Sequence, residues 1–236
     1  MKKPFKTYDR FISSLVMVGV LLLTYFDGKG QDLVKTMKEL STQMDQAENL
    51  HIKADFKVFN TETREVLLKD KAEIKRKSGA FYKNLGRQEI LSTEQSYITT
   101  DHQAKMIYYS SVANDGEQNV VNTSDFLPSV DSLLNLYLEY TYLGNKEGVK
   151  TYVVTPKIQW LKSMELQFDS DDRLHKILYE YDASVYGVPY SVEVNYTLFD
   201  LNAHFNSTDF SEVKFITRRG NLVQPATALT GYRITQ

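Results

Sequence analysis

The chain has 236 residues, a formal net charge of −2 and no cysteine. The lack of cysteine excludes disulfides, thiolate zinc sites and cysteine nucleophiles, and the nearly balanced charge argues against a nucleic-acid partner. The 16 tyrosines and 12 phenylalanines favour strands and suit surfaces that meet amphipathic ligands.

The N-terminal segment has the order of a secretory signal peptide. Four basic side chains lie within the first ten residues, and an apolar run extends from Phe11 to Phe26. Small residues follow at Gly28 and Gly30, which predicts cleavage near Gly30 and Gln31. We therefore expect residues 1–30 to be removed and residues 31–236 to form a single domain in the periplasm or outside the cell. An uncleaved anchor is the alternative, although the run is shorter than the roughly 20 residues that span a membrane.

A helix is predicted over Asp32–Asn49. Its apolar residues recur at spacings of three and four, so they share one face; they are Leu33, Met37, Leu40, Met44 and Ala47. A narrow apolar stripe of this kind predicts packing against a sheet.

The period changes to two after Leu50, which predicts strands. The first carries Ile52, Ala54, Phe56 and Val58, and further strands are predicted at 68–76, 80–85, 90–100 and 105–110. Arg76 shares its parity with Ala72 and Ile74, so a guanidinium would lie on an apolar face and would need a partner. Either the strand twists and Arg76 reaches solvent, or Arg76 holds a backbone carbonyl or a ligand headgroup.

A second helix is predicted from Pro128 or Ser129 to about Tyr140, after a polar loop at 114–124. Its broad apolar face includes Val130, Leu133 and Tyr137. Such a helix would either cover a cavity or plug the core.

The remaining chain returns to strands, predicted at 149–155, 163–168, 174–181, 190–198, 210–217 and 230–234. Asp169–Asp172 is interpreted as a hairpin turn, because the glycine and the distant glutamate of a calcium loop are missing. About ten strands and two helices, joined by short connections, predict an α+β fold with a mostly antiparallel sheet.

No catalytic or metal-binding pattern is present. The four histidines have no second ligand at metal spacing and are expected to be isolated surface residues, and no nucleophile elbow, phosphate loop or dinucleotide fingerprint occurs. We predict a protein that is not an enzyme and has no cofactor or metal.

The order of these elements resembles the periplasmic outer-membrane lipoprotein carrier (LolA-like) family. The similar segments are Ala47–Leu50, Ala54–Phe56, Lys75–Tyr82, Tyr97–Asp101, Met106–Tyr109, Met164–Asp169, Leu174–Ile177 and Val192–Phe205. The resemblance implies a half-open, curved antiparallel β-barrel with an N-terminal helix and a lid or plug helix. It also implies a strand arginine that hydrogen-bonds the lid. Counting back from Phe81 places Lys77 there, whereas face parity favours Arg76; Ser78 replaces the family's proline and Lys83 its tryptophan.

The resemblance implies a monomeric periplasmic carrier or chaperone for lipid-modified protein or lipid, with an inner-membrane donor and an outer-membrane acceptor. We expect acyl chains to contact Ile52, Phe56, Ile74, Leu166, Val192 and Val194. The lid is expected to include Val130, Leu133 and Tyr137, and Arg76 is expected to bond the lid or a headgroup. The alternative is an envelope protein-interaction or stress-sensing module with a filled interior, to which a partner adds a strand at a sheet edge.

Overall fold

The computed structural model describes residues 31–111, 137–184, 187–220 and 222–235. The predicted signal peptide, together with Val130 and Leu133 of the predicted lid, lies outside these residues.

The described chain contains one α-helix, α1, at Gln31–Gln46. The apolar stripe that the sequence predicted is buried, since Leu33, Met37, Leu40 and Met44 are at most 3% exposed. The helix ends before the predicted Asn49, and Ala47 follows it.

Most of the described chain is β-structure. The strands are β1 (Leu50–Asn60), β2 (Val66–Lys77), β3 (Ala80–Leu85), β4 (Gln88–Ser92), β5 (Ser96–Asp101), β6 (Met106–Ser111), β7 (Tyr137–Lys146), β8 (Val149–Pro156), β9 (Leu161–Phe168), β10 (Leu174–Tyr181), β11 (Tyr190–Asp200), β12 (Ile216–Arg219), β13 (Leu222–Pro225) and β14 (Arg233–Thr235). Short 3-10 turns occur at Glu212–Lys214 and Thr227–Leu229.

Twelve strands form one sheet in the order β14-β6-β5-β4-β3-β2-β1-β11-β10-β9-β8-β7, while β12 and β13 form a separate hairpin. The pairs from β2–β3 to β5–β6 and from β7–β8 to β10–β11 are antiparallel, and β14 pairs with β6 in parallel. The mostly antiparallel sheet is as predicted, but it contains more strands than the ten expected.

The strand at Tyr137–Lys146 corrects the second predicted helix. That helix was expected to reach Tyr140, yet residues 137–140 belong to β7 and are in register with β8. The tyrosines and threonine of this segment suit an extended strand, and pairing with β8 overrides the helical spacing of its apolar residues.

The chain forms two compact units that share β1 and β2. The first contains residues 31–46, 53–70 and 137–199 of the described chain, and the second contains 47–52, 71–111 and 200–235. The core of the second unit is built around Leu91, Ile98 and Ile107, packed with Phe210, Phe215 and Ile216.

Candidate functional site

One face of the sheet in the first unit is a continuous apolar surface. Ile177 of β10 lies opposite Leu166 of β9 and Val194 of β11, and Tyr179 forms the next row with Met164 and Val192. All six side chains are at most 2% exposed. Strand alternation brings Leu166, Val192 and Val194 onto this one face, and their contact with an acyl chain stays a prediction.

Three stacked aromatic rings extend this face. The indole of Trp160 lies parallel to the ring of Tyr181, with centroids 5.9 Å apart, and the ring of Tyr190 lies parallel on Tyr181 at 4.5 Å. Tyr181 and Tyr190 are buried, whereas Trp160 keeps part of its surface exposed. The stack provides a wide, flat apolar surface that the sequence analysis did not identify.

Phe56, the remaining predicted contact residue in this unit, is 3% exposed on β1. Its neighbour Asp55 is exposed, so β1 has the predicted alternation. Phe56 thus lies on the buried side of its strand. A residue that contacts an acyl chain would have to lie on that side.

The opposite face of the same strands is charged. Glu193 accepts hydrogen bonds from Lys57 at 2.6 Å, Lys176 at 2.7 Å and Asn195 at 3.1 Å. Burial acts to raise the pKa of Glu193, but these hydrogen bonds outweigh it and lower the pKa to about 2. This sheet therefore has one apolar and one charged side.

In the second unit, Arg76 lies on the face that parity predicted. Arg76 pairs in register with Phe81, and Ile74 pairs with Lys83, so these four side chains share one face of β2 and β3. The Arg76 Nη2 atom donates a hydrogen bond of 3.1 Å to the carbonyl oxygen of Ala47, one residue beyond α1. The sequence left open whether Arg76 reaches solvent or holds a polar partner. In the structure Arg76 holds a backbone carbonyl.

Lys77 is on the opposite face, with its ammonium 5.1 Å from the centroid of the Phe210 ring. The two positions considered for the strand arginine thus lie on opposite faces of β2, and the assignment of Arg76 as the residue that bonds the lid stays a prediction. Ile74 is half-buried beside it, and Ile52 of β1 is 5% exposed.

Lys83 is a residue that the sequence analysis did not propose for the site. It is 6% exposed on the Arg76 face of β3, between Phe81 and Leu85, which are also buried. Burial lowers its pKa from the usual 10.5 to about 8. The sequence pattern could have identified Lys83. Alternation within Phe81–Leu85 places this lysine on the same face as the apolar residues Phe81 and Leu85.

Two histidines correct the expectation of isolated surface residues. The His102 Nε2 atom lies 2.7 Å from Glu89, its Nδ1 atom lies 2.9 Å from the Tyr232 hydroxyl, and Tyr82 donates to Glu89 at 2.6 Å. His51 is bonded to Glu73 at 2.8 Å. These long-range pairs join segments far apart in sequence, so local spacing does not predict them.

No group of three or more histidine or acidic side chains among the described residues has the arrangement of a metal site. Tyr137, the one lid residue within the described chain, is the first residue of β7. The lid role of Val130, Leu133 and Tyr137 stays a prediction.

No family model matches the sequence, and no curated protein sequence does. Solved structures do show similarity. An uncharacterized conserved protein from Thermus thermophilus is 8% identical, with 78% of this chain and 93% of that chain covered and a TM-score of 0.41. A structure of the MucA/MucB complex of Pseudomonas aeruginosa is 13% identical. The match covers 83% of this chain and 64% of that chain, with a TM-score of 0.41.

A third structure is a LolA superfamily protein from Nitrosomonas europaea, which is 10% identical. The match covers 72% of this chain and 96% of that chain, with a TM-score of 0.27. The LolA superfamily is among the structural neighbours. The sequence analysis predicted a resemblance to the family of this structure. With TM-scores below 0.5, the likeness carries no argument about ligand or activity.

Within the part of the chain that the structure describes, no helix has the length and apolar character that crossing a membrane requires.

Proposed function

We propose that this chain is a non-enzymatic protein of the cell envelope that binds acyl chains of lipid or of lipid-modified protein. The observation that supports the proposal is the two-sided sheet of the first unit. Its apolar face carries Leu166, Val192 and Val194 next to rows of aromatic rings, while Glu193 and its lysine partners occupy the other face. Such a sheet presents a large apolar surface to one side only.

The energy of binding would come from burial of the acyl chain. Each methylene removed from water contributes about 0.8 kcal/mol, so one long chain supplies affinity without a specific polar contact. Phe56 of the first unit, and Ile52 and Ile74 of the second, are the further proposed contact residues. Because Leu166 and Val194 have no exposed surface, binding requires the groups that cover them to move, and we propose the segment with Val130, Leu133 and Tyr137 as that cover.

The finer role that we propose is that of a periplasmic carrier or chaperone. The signal-like N-terminus supports export, with cleavage near Gly30 and Gln31. A monomeric carrier would take lipid-modified protein from an inner-membrane donor and deliver it to an outer-membrane acceptor. Arg76, which donates a hydrogen bond to the Ala47 carbonyl, is proposed to bond the lid or a ligand headgroup in this role.

A second candidate is a protein-interaction module on the same fold. Tyr142 is 42% and Leu143 is 60% exposed on β7, and β8 is the one strand that pairs with β7 in the described part of the chain. An edge strand of ten residues can accept an added strand from a partner. On this alternative the apolar face is permanently filled by the chain's own side chains.

Native mass spectrometry of the protein purified from the envelope of its own host separates the two functions. Added mass that solvent extraction identifies as lipid or acylated peptide supports the carrier. A bare mass that stays unchanged after incubation with a purified acylated lipoprotein would overturn the carrier and favour the interaction module.

A further inference from the structure

The hairpin of β12 and β13 is separate from the twelve-stranded sheet, and one of its faces packs on the core of the second unit. Ile216 and Val223 lie on this inward face and contact that core. Arg218 shares the face, with its guanidinium carbon 5.2 Å from the centroid of the Tyr109 ring. The core therefore supports the hairpin, and the opposite face of the hairpin points outward.

The outward face carries a cross-strand pair of one basic and one apolar side chain. Arg219 of β12 lies opposite Leu222 of β13 in register, so the two side chains share this face. Leu222 is 54% exposed, and Arg219 is exposed beside it. Within the described part of the chain, the Arg219 guanidinium has no hydrogen bond or ion pair. Both side chains are thus free to contact a partner outside the chain.

Other exposed side chains of both kinds lie on the elements that contact the hairpin. Val213 is 68% exposed on the 3-10 turn at Glu212–Lys214, and Arg218 of β12 donates a hydrogen bond of 2.7 Å to Glu212 of this turn. On the other side, β13 contacts β14, whose first residue, Arg233, is exposed. The hairpin and its neighbours therefore expose two aliphatic and two basic side chains.

The charge of this segment is opposite in sign to that of the whole chain. Residues 212–236 contain four basic residues and one acidic residue, whereas the chain has a net charge of −2. The one acidic residue, Glu212, is already bonded to Arg218. The segment thus presents a positive surface, which is complementary to an anionic partner.

The arrangement of the aliphatic side chains favours a lipid surface over a protein as this partner. Val213 and Leu222 lie on separate elements, and two single side chains are too few for the apolar core of a protein interface. A bilayer accepts each aliphatic side chain separately at the boundary of headgroups and acyl chains, while basic side chains contact the phosphates.

We infer that the outward face of the β12–β13 hairpin docks on an anionic phospholipid bilayer. Leu222 and Val213 enter the interfacial region, and Arg219 and Arg233 lie against the lipid phosphates. This inference goes beyond the proposed function and does not depend on acyl-chain binding. Attachment through so few groups is reversible, and salt weakens it because the charged contacts are exposed.

The test uses protein purified from the host envelope and two kinds of vesicle, one of phosphatidylcholine alone and one of phosphatidylcholine and phosphatidylglycerol in equal parts. Flotation at low and high salt measures binding of wild type, Arg219→Gln and Leu222→Ser. Lys69→Gln is the matched control, since it removes an exposed charge from β2. Because the chain has no cysteine, Leu222→Cys can carry a single environment-sensitive dye. Leu67→Cys, at a position 42% exposed on β2, is the control for the dye.

We expect wild type to bind the phosphatidylglycerol vesicles, less so at high salt, and to bind phosphatidylcholine alone weakly. Arg219→Gln should weaken binding roughly fivefold, as for one basic side chain near an anionic surface. Leu222→Ser should weaken it by a similar factor, and Lys69→Gln should leave it unchanged. The dye should shift to the blue at residue 222 and not at residue 67, and circular dichroism shows that each variant is folded.

Wild type that does not bind the phosphatidylglycerol vesicles would overturn this inference. So would binding during which the dye at residue 222 shows no shift, or equal losses for Arg219→Gln and Lys69→Gln. A dimer that Leu222→Ser dissociates, without vesicle binding by wild type, would instead assign this face to a second copy of the chain. Each of these results leaves acyl-chain binding in place, because that is measured without vesicles.

Discussion

Lys83 gives the free energy of unfolding a specific pH dependence. Its pKa falls from 10.5 to about 8 on folding because burial disfavours the ammonium, and each pKa unit corresponds to about 1.4 kcal/mol. Below pH 8 the folded protein bears this cost in full. Between pH 8 and 10.5 the unfolded chain binds more protons than the folded one, so the contribution of Lys83 to stability rises with pH.

Lys83→Met should therefore raise the free energy of unfolding at pH 7 by roughly 1–3 kcal/mol. The gain should shrink as the pH rises toward 10.5. Urea unfolding at pH 7, 8.5 and 10 measures the free energy of unfolding of wild type and variant. In the difference between the two, the contributions of the other titrating groups cancel. A variant that is less stable than wild type at pH 7 would contradict the burial argument.

Arg76 is expected to stabilise the fold through the Ala47 carbonyl. Arg76→Met removes the 3.1 Å hydrogen bond and leaves a half-buried oxygen without that donor, so we expect a loss of about 1–3 kcal/mol. Lys77→Met should cost less than about 1 kcal/mol, because it removes a cation–π contact with Phe210. Chemical denaturation of both variants measures the difference, and equal losses would speak against the role given to Arg76.

The sequence could place a site residue only where apolar and polar side chains alternate along its strand. Parity alone placed Arg76 with Ala72 and Ile74, and the strand register agrees. The same reasoning reached Leu166, Val192 and Val194, but it was not applied to Lys83. The His102–Tyr232 bond could not be predicted, since it joins residues 130 positions apart.

At the level of elements, Glu193 links β11 to its neighbours β1 and β10 through Lys57 and Lys176. Glu193→Gln should lower the free energy of unfolding at pH 7 by roughly 1–3 kcal/mol, because the hydrogen bonds to these lysines lose their charge. Asp172→Asn is the control, since its pair with Lys150 is more exposed than the Glu193 pairs and should contribute less. Thermal denaturation of the two variants provides the comparison.

The lowered pKa of Glu193 determines how its contribution to the free energy of unfolding changes with pH. Glu193 has a pKa of about 2 in the folded protein and a usual value of 4.5, so its contribution is complete above pH 4.5 and is lost as the pH falls toward 2. Wild type and Glu193→Gln should converge in stability over that interval. Curves that stay parallel down to pH 2 would contradict the hydrogen-bond account.

Strands with clear alternation were predicted closely, whereas turns without glycine or proline were missed. The predicted strands at 80–85 and 174–181 coincide with β3 and β10. The strand predicted at 90–100 is two strands, because the Thr93 hydroxyl accepts from the Ser96 backbone at 3.1 Å and closes a turn there. The strand predicted at 210–217 is similarly replaced by a 3-10 turn and the start of β12.

At the scale of the whole molecule, the mostly antiparallel sheet followed from the alternating pattern and the short connections. The strand count did not, because the split at Thr93 and the conversion of residues 137–140 to β7 both add strands. The function is a further step beyond the fold, since one fold serves many ligands. The proposed function therefore rests on the apolar face and on the charges of particular residues.

The single tryptophan of the chain gives the most direct test of acyl-chain binding. Trp160 stacks on Tyr181 at the edge of the apolar face of the first unit, and bromine atoms on an acyl chain quench indole fluorescence only at short range. Titration with a dibrominated fatty acid is compared with its unbrominated parent, and free N-acetyl-tryptophanamide corrects for collisional quenching. We predict saturable quenching by the brominated chain alone; fluorescence equal to that with the parent throughout the titration would contradict acyl-chain binding at this face.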